Sequence, residues 1–327
     1  LPTHASDALG RWTLIRRIPL QGPGGWDYLA VQPGTHRLFV SHAGQVIVID
    51  LSTNRAIASI PANGVHGIAF APELNRGFIS NGGGNNVTIF NLATLKTEIQ
   101  LPTGTNPDAI CYEPQTRRVF AFNGKSATAT VIDAVQEKVV SQIPLGGKPE
   151  FAQVDGRGFV FDNLEDKSEV IKISAATLSV VATWALPSQS EPSGLAIDAE
   201  RERLFVGCGN KTMVVMDAGS GRVLATLPIG AGVDACVYDP VHRRAFASCG
   251  DGTMTIVQQS ASDNYTVTAI IPTAPRARTM AYDPAKATAY LPTAKFGSLP
   301  QVTPQNPKPR PPILPGSLEI VVLQSQP

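Results

Sequence analysis

Seven polar residues recur at nearly constant intervals along the chain: Asp27, His66, Asp108, Glu150, Ser193, Asp234 and Arg278, separated by 39, 42, 42, 43, 41 and 44 residues. Carboxylates brought together this way repel one another, so they must raise a pKa, take up a cation or stay hydrated. An imidazole beside them is competent as a metal ligand or a general base. His66 has Gly64-Val65 before it and Gly67 after it, so little side-chain bulk shields it. His66 and Asp108 are therefore the foremost candidates, with Glu150 and Asp234 as acids or further ligands. A second series lies 15 or so residues further on: His42, Asn81, Asn123, Asp162, Cys208, Cys249 and Thr293. None of these 14 residues is aliphatic. His42 and His66, 24 residues apart, could join Asp108 around one divalent ion such as copper, zinc, manganese or calcium.

The elements that position these residues follow from the repeat. Its clearest copies are VHGIAFAPELNRGFISN, PDAICYEPQTRRVFAFN, PSGLAIDAERERLFVGC and VDACVYDPVHRRAFASC. Each reads as two short strands about a turn, and each is followed by two more, as in VIVID then AIASI or MVVMD then VLATL. Four short strands per repeat of about 42 residues is the arithmetic of a propeller blade. The chain is thus expected to be all-β: a seven-bladed β-propeller of four-stranded antiparallel blades, one domain over residues 11–323. Blade seven lacks a fourth strand of its own. Trp12–Ile18 (WTLIRRI) resembles the outer strand of the other blades, so the N-terminal strand is expected to complete the C-terminal blade and remove an exposed edge.

In such a ring both series fall on one face, at the mouth of the central channel. Asp27 is flanked by Trp26, placed to stack on a ring-shaped ligand, and by Tyr28, expected to point away; packing between blades is the plainer role for both. Lys148, Arg276, Arg278 and Lys295 offer that face a handle for an anionic ligand. Arg278 is equally suited to neutralise Asp27 across the closure, the pairing expected here. Glu165, Asp166 and Lys167, like Glu191, read as solvated surface. Cys208 and Cys249 hold equivalent places on adjacent blades, where they would form a disulfide near the reach limit of about 7 Å or remain thiols able to take a soft metal. Cys111 and Cys236 read as core residues. Arg37, Arg76, Arg118, Arg157, Arg203 and Arg244 recur at the start of second strands and read as braces between blades. Residues 294–317 of blade seven form an insertion with seven prolines, which impose an extended, semi-rigid backbone. It is expected over the channel mouth as a lid or wall with Lys295 and Phe296 entering the pocket, packed on blade one, or docking a protein partner through PKPRPPILP.

The cadence of VIDLSTNRAIASI, VTIFNLATLKTEI, ATVIDAVQEKVVSQI and VVMDAGSGRVLATLPIG resembles the YVTN/YncE-like seven-bladed propellers over essentially the whole chain. That resemblance implies export to the periplasm or cell surface. It implies roles that range from nucleic-acid binding to scaffolding, and it places the chain near the quinoprotein dehydrogenases and a metal-dependent lyase of streptogramin antibiotics. No residue-level motif of those two enzyme groups carries over.

Composition narrows the function classes. Charged residues are 16% of the chain and the formal charge is +1, which argues against a nucleic-acid surface. No run approaches about 18 apolar residues, so no membrane span is expected. Four cysteines without a CxxC pair are not a disulfide scaffold. The opening LPTHASDALG fits a processed mature form and a shortened chain equally well. The expected function is an exported, monomeric propeller that binds a small polar ligand or metal ion at the channel mouth. The alternative is a metal-dependent lyase or hydrolase with His66 as base and Asp108, Glu150 or Asp234 as acid or metal ligand. No Ser-His-Asp or Cys-His order emerges.

Overall fold

Each repeat folds into four antiparallel strands, and burial along each strand reflects its place. In blade one these are Trp26–Val31, Arg37–His42, Gln45–Asp50 and Arg55–Pro61. The second and third strands are covered by neighbouring blades on both faces, so they read as continuous apolar runs, LFV and VIVI. The fourth has one face in solvent and alternates. A register shift in each outer hairpin, such as Val48/Ile49 in blade one, adds the local twist that lets blades stack around an axis. The core lies between blades: Phe120 and Phe122 of blade three, for instance, pack with Val160, Ile171 and Ile173 of blade four.

The computed structural model describes residues 11–187, 189–261, 263–303, 306–307 and 309–326. The opening segment 1–10 and, within the insertion, Pro304, Gln305 and Lys308 lie outside the described residues. Seven four-stranded sheets form the ring. The seventh is completed by Arg11–Pro19, which pairs antiparallel with Glu319–Gln326 in the register Trp12↔Ser325 and Ile18↔Ile320. Trp12 then meets Phe246 edge-on at 5.5 Å between ring centroids, tying the closure to blade six. The inner strand of blade seven is short, Ala281–Asp283. Among the described residues no helix is long and apolar enough to cross a membrane.

The recurring arginines do brace the blades. Arg37 donates to the Leu92 carbonyl at 2.7 Å and Arg76 to that of Ala134 at 2.7 Å, each on the following blade. Arg118 and Arg157 reach Ala175 and Ala199 in the same way. Arg203 pairs instead with Asp263 of blade six at 2.8 Å. Arg244 stays within its own blade on Asp239 at 3.1 Å, under the Trp12 ring.

Candidate functional site

The first-ring residues sit where the inner hairpins lose register. Pairing jumps from Trp26 to Leu29, Val65 to Ile68, Pro107 to Ile110, Pro149 to Ala152, Pro192 to Gly194 and Val233 to Ala235. Asp27, His66, Asp108, Glu150, Ser193 and Asp234 therefore lie in bulges, which re-aim side chains out of the pleat. Ser41 donates to the carbonyl of His66, Ser80 to that of Asp108 and Ser248 to that of Arg278, so a serine on one blade fixes the ring residue of the next. All seven first-ring residues line one cavity of ≈ 560 Å³.

Its floor is aromatic. Tyr28 crosses the channel from blade one to donate to the Glu150 carbonyl of blade four at 3.0 Å, and its ring meets Phe151 at 5.3 Å. The expectation that Tyr28 points away is thus overturned: the bulge frees two successive residues, so both Asp27 and Tyr28 turn inward. Burial, together with the charges of Asp108, Asp27, Glu150 and Asp234, pushes the Tyr28 hydroxyl well above its ordinary range and keeps it a donor.

Asp27, His66 and Asp108 form the tightest group. Each offers one ligand atom, and these atoms all lie within 4.8 Å of one another. His66 Nδ1 is hydrogen-bonded to Asp27 Oδ2 and lies 3.7 Å from Asp108 Oδ1. The three side chains are 25%, 26% and 23% exposed respectively, low enough to matter electrostatically yet open to solvent. Burial lowers the His66 pKa, but the Asp27 hydrogen bond and the charges of Asp108, Asp27 and Glu150 outweigh it and hold the ring above 6.5. Burial and the Asp27 charge push Asp108 up to about 8, with His66 pulling the other way and Glu150 and Asp234 adding to the rise. Burial likewise lifts Asp234 to about 7 although Arg278 opposes it, and raises Glu150, helped by Glu165 and opposed by Lys148. A cation would relieve all of these at once. Room for the imidazole comes from Gly82: a Cβ there would stand 2.6 Å from His66 Nε2.

The second series does not join this cavity. Asp162 does not occupy the strand end: Leu164 pairs with Pro149 there, as His42 pairs with Trp26, so an aliphatic residue stands in that ring after all. His42, Asn81, Asn123, Cys208, Cys249 and Thr293 are buried within the blades. His42 holds its Nδ1 against the Gly25 carbonyl at 3.2 Å, burial lowers its pKa, and it lies outside the Asp27–His66–Asp108 group. The structure groups Asp27, and not His42, with His66 and Asp108, because strand-end side chains turn into the blade while bulged ones turn to the axis. Cys208 and Cys249 form no disulfide; all four cysteines are buried free thiols, and burial raises Cys208 to about 11 and Cys249 to about 12.

Of the expected cations, Lys148 is engaged by Glu150 at 2.9 Å and by Glu165. Arg278 pairs with Asp234 at 3.2 Å and not with Asp27, whose partner is His66. Lys295 is exposed and its backbone amide bonds Ser317, so it lines neither cavity. Arg276, Trp26 and Phe296 line a second cavity of ≈ 680 Å³ beside the first, and Trp26, Arg278 and Arg310 border both.

Residues 34–227 match a family described as a domain of unknown function, DUF5074, which is more than half of the chain. The chain belongs to the DUF5074 family. No curated protein matches. The solved structure of U3-55K superposes with a TM-score of 0.77 over 94% of this chain and 98% of its own, at 10% sequence identity. At that identity the likeness speaks to the propeller fold alone.

In this DUF5074 chain, sequence reasoning missed Tyr28 and Phe151 as the floor, Arg310 in the insertion, and Glu165 and Glu191 on the rim of the first cavity. The spacing of the repeat could have placed Glu165 and Glu191, since each sits at a loop on the ring face. Nothing in the repeat announces Arg310, which belongs to the DUF5074 chain's one irregular blade.

Proposed function

We propose that this propeller binds a divalent transition-metal ion, zinc or manganese, between Asp27, His66 and Asp108, with a small polar ligand completing the site from the open mouth. The observation that carries this reading is the convergence of two carboxylates and an imidazole, all partly buried, in a cavity walled by further carboxylates and closed beneath by Tyr28 and Phe151. Two oxygens and one nitrogen suit zinc or manganese better than calcium, which prefers six to eight oxygens. Three protein ligands leave coordination positions for water or ligand, which is also the arrangement of hydrolytic and lyase centres. That second reading is favoured by the pairing of groups: burial and the Asp27 charge push Asp108 up to about 8, which suits it to give a proton, and the His66 imidazole 3.7 Å away can act as base in its neutral form. The YVTN/YncE-like cadence supports an extracytoplasmic setting for either reading.

Isothermal titration of chelator-treated protein with zinc and manganese tests it. Wild type is expected to take up one equivalent, and Asp27→Asn, His66→Ala and Asp108→Asn each to weaken uptake by about tenfold or more. Equal uptake by all three variants would overturn the assignment.

A further inference from the structure

The cavity beside the acidic well has the opposite character. Trp26, Phe296, Ile313 and three arginines, Arg276, Arg278 and Arg310, line ≈ 680 Å³ of space with no carboxylate among the lining residues. Arg278 is balanced by Asp234, but among the described residues neither Arg276 nor Arg310 has an ion-pair partner. The aromatic part is built as deliberately as the charged part. Trp26 and Phe296 stand 6.2 Å apart at 52°, and the Arg276 guanidinium lies 5.0 Å from the Phe296 ring centre.

Both sides of the cleft are held in place. The turn carrying Arg276 is pinned by its amide on the Gly250 carbonyl at 2.9 Å and by Thr293 Oγ1 on the Pro275 carbonyl at 2.7 Å. The proline-rich arm closes on itself through Gly297 N to Pro312 O at 2.8 Å and Leu314 N to Lys295 O at 2.9 Å, with Phe296 bridged to Ile313. Ile313 leans over Gly25, where an added Cβ would meet its Cδ1 at 3.7 Å. The insertion thus forms a wall that brings Arg310 to the same cavity as Arg276. Glycines on the remaining side leave the space open.

We infer that this cleft binds a small planar aromatic anion, a ring bearing one carboxylate or phosphate, with the ring laid against the surface that the Trp26–Phe296 pair presents to the cavity and the anionic group taken by Arg276 and Arg310. A guanidinium matches the flat, two-oxygen edge of such a group, and an aromatic surface selects a ring over an aliphatic acid. A cavity of this size encloses a one- or two-ring molecule. The inference does not depend on the ion site, because none of Asp27, His66 and Asp108 lines the cleft.

The test uses chelator-treated full-length protein at low salt, titrated calorimetrically with benzoate, phenyl phosphate, benzamide and acetate. Benzoate or phenyl phosphate is expected to bind about tenfold or more tightly than benzamide and acetate. The phosphate and carboxylate probes separate the two sources of anion. Arg276→Ala and Arg310→Ala, both at exposed positions, are each expected to weaken binding by about fivefold or more, while Asp108→Asn leaves it in place. Benzamide binding as well as benzoate, no binding of either anion, or retention of affinity in both arginine variants would overturn the inference. So would loss of binding in Asp108→Asn, which would put the ligand in the acidic well.

Discussion

Asp108 carries a proton near neutrality because burial and the Asp27 charge both oppose its ionisation. An incoming ion must displace that proton, so metal affinity is expected to climb as pH rises from about 6 toward 8 and to level off above. Calorimetry in two buffers of different ionisation enthalpy checks this by counting protons released; a flat profile would disagree. Asp162 is the more anomalous carboxyl. It is fully buried, neither oxygen has a hydrogen-bond partner, and its matching positions hold Val40, Ile79, Ala121, Val206 and Ala247. Burial lifts its pKa well above 3.8, so between the unfolded and folded values the native state binds the extra proton and stability falls as pH rises. Asp162→Ala should therefore stabilise the protein by about 1–3 kcal/mol or more near pH 8 and by less near pH 4. Thermal melts at the two pH values decide it, and an equal gain at both would remove the proton from the explanation. The sequence showed Asp162 as polar but misplaced it by two residues, since a change in hairpin register leaves no mark in composition.

At the scale of the element, the bulge is what turns a strand into a site. A regular pleat would send Asp27 and Tyr28 to opposite faces; the bulged hairpin turns both to the axis, one beside His66 and one as the floor. The recurrence of Asp, His, Asp and Glu was legible in the sequence because repeats align themselves. Which side chains face the axis was not, since that depends on register. The clearest element-level prediction concerns Gly82, in the turn after the second strand of blade two. Gly82→Ala is expected to push the His66 ring off Asp27 and weaken ion uptake by about tenfold, with the melting temperature changed by only a few degrees, or about 1 kcal/mol. Unchanged uptake would show that the imidazole need not occupy its present position.

For the whole molecule, closure between Arg11–Pro19 and Glu319–Gln326 replaces two frayed edges with one complete blade. The closure was readable because blade seven visibly lacked a strand and the N-terminus visibly had one to spare. The insertion's contribution was harder to see: its prolines announced stiffness, but the direction in which Arg310 points depends on contacts with blade one. Removing residues 11–19 should strip the burial of Trp12 and Ile18, a loss of about 3–6 kcal/mol, and expose a sheet edge. A melting temperature lower by about 10 °C or more, with concentration-dependent association, is the expected result; an unchanged melt would mean that the ring does not depend on this strand.

The central claim is the ion between Asp27, His66 and Asp108, and anomalous scattering tests it most directly. Crystals grown near pH 8 and soaked in manganese should show, in a map from data collected at a wavelength favourable to that metal, one strong peak bridging His66 Nδ1 and the two carboxylates. That peak should vanish in Asp108→Asn. A map without density there, or with its main peak elsewhere on the protein, would contradict the account.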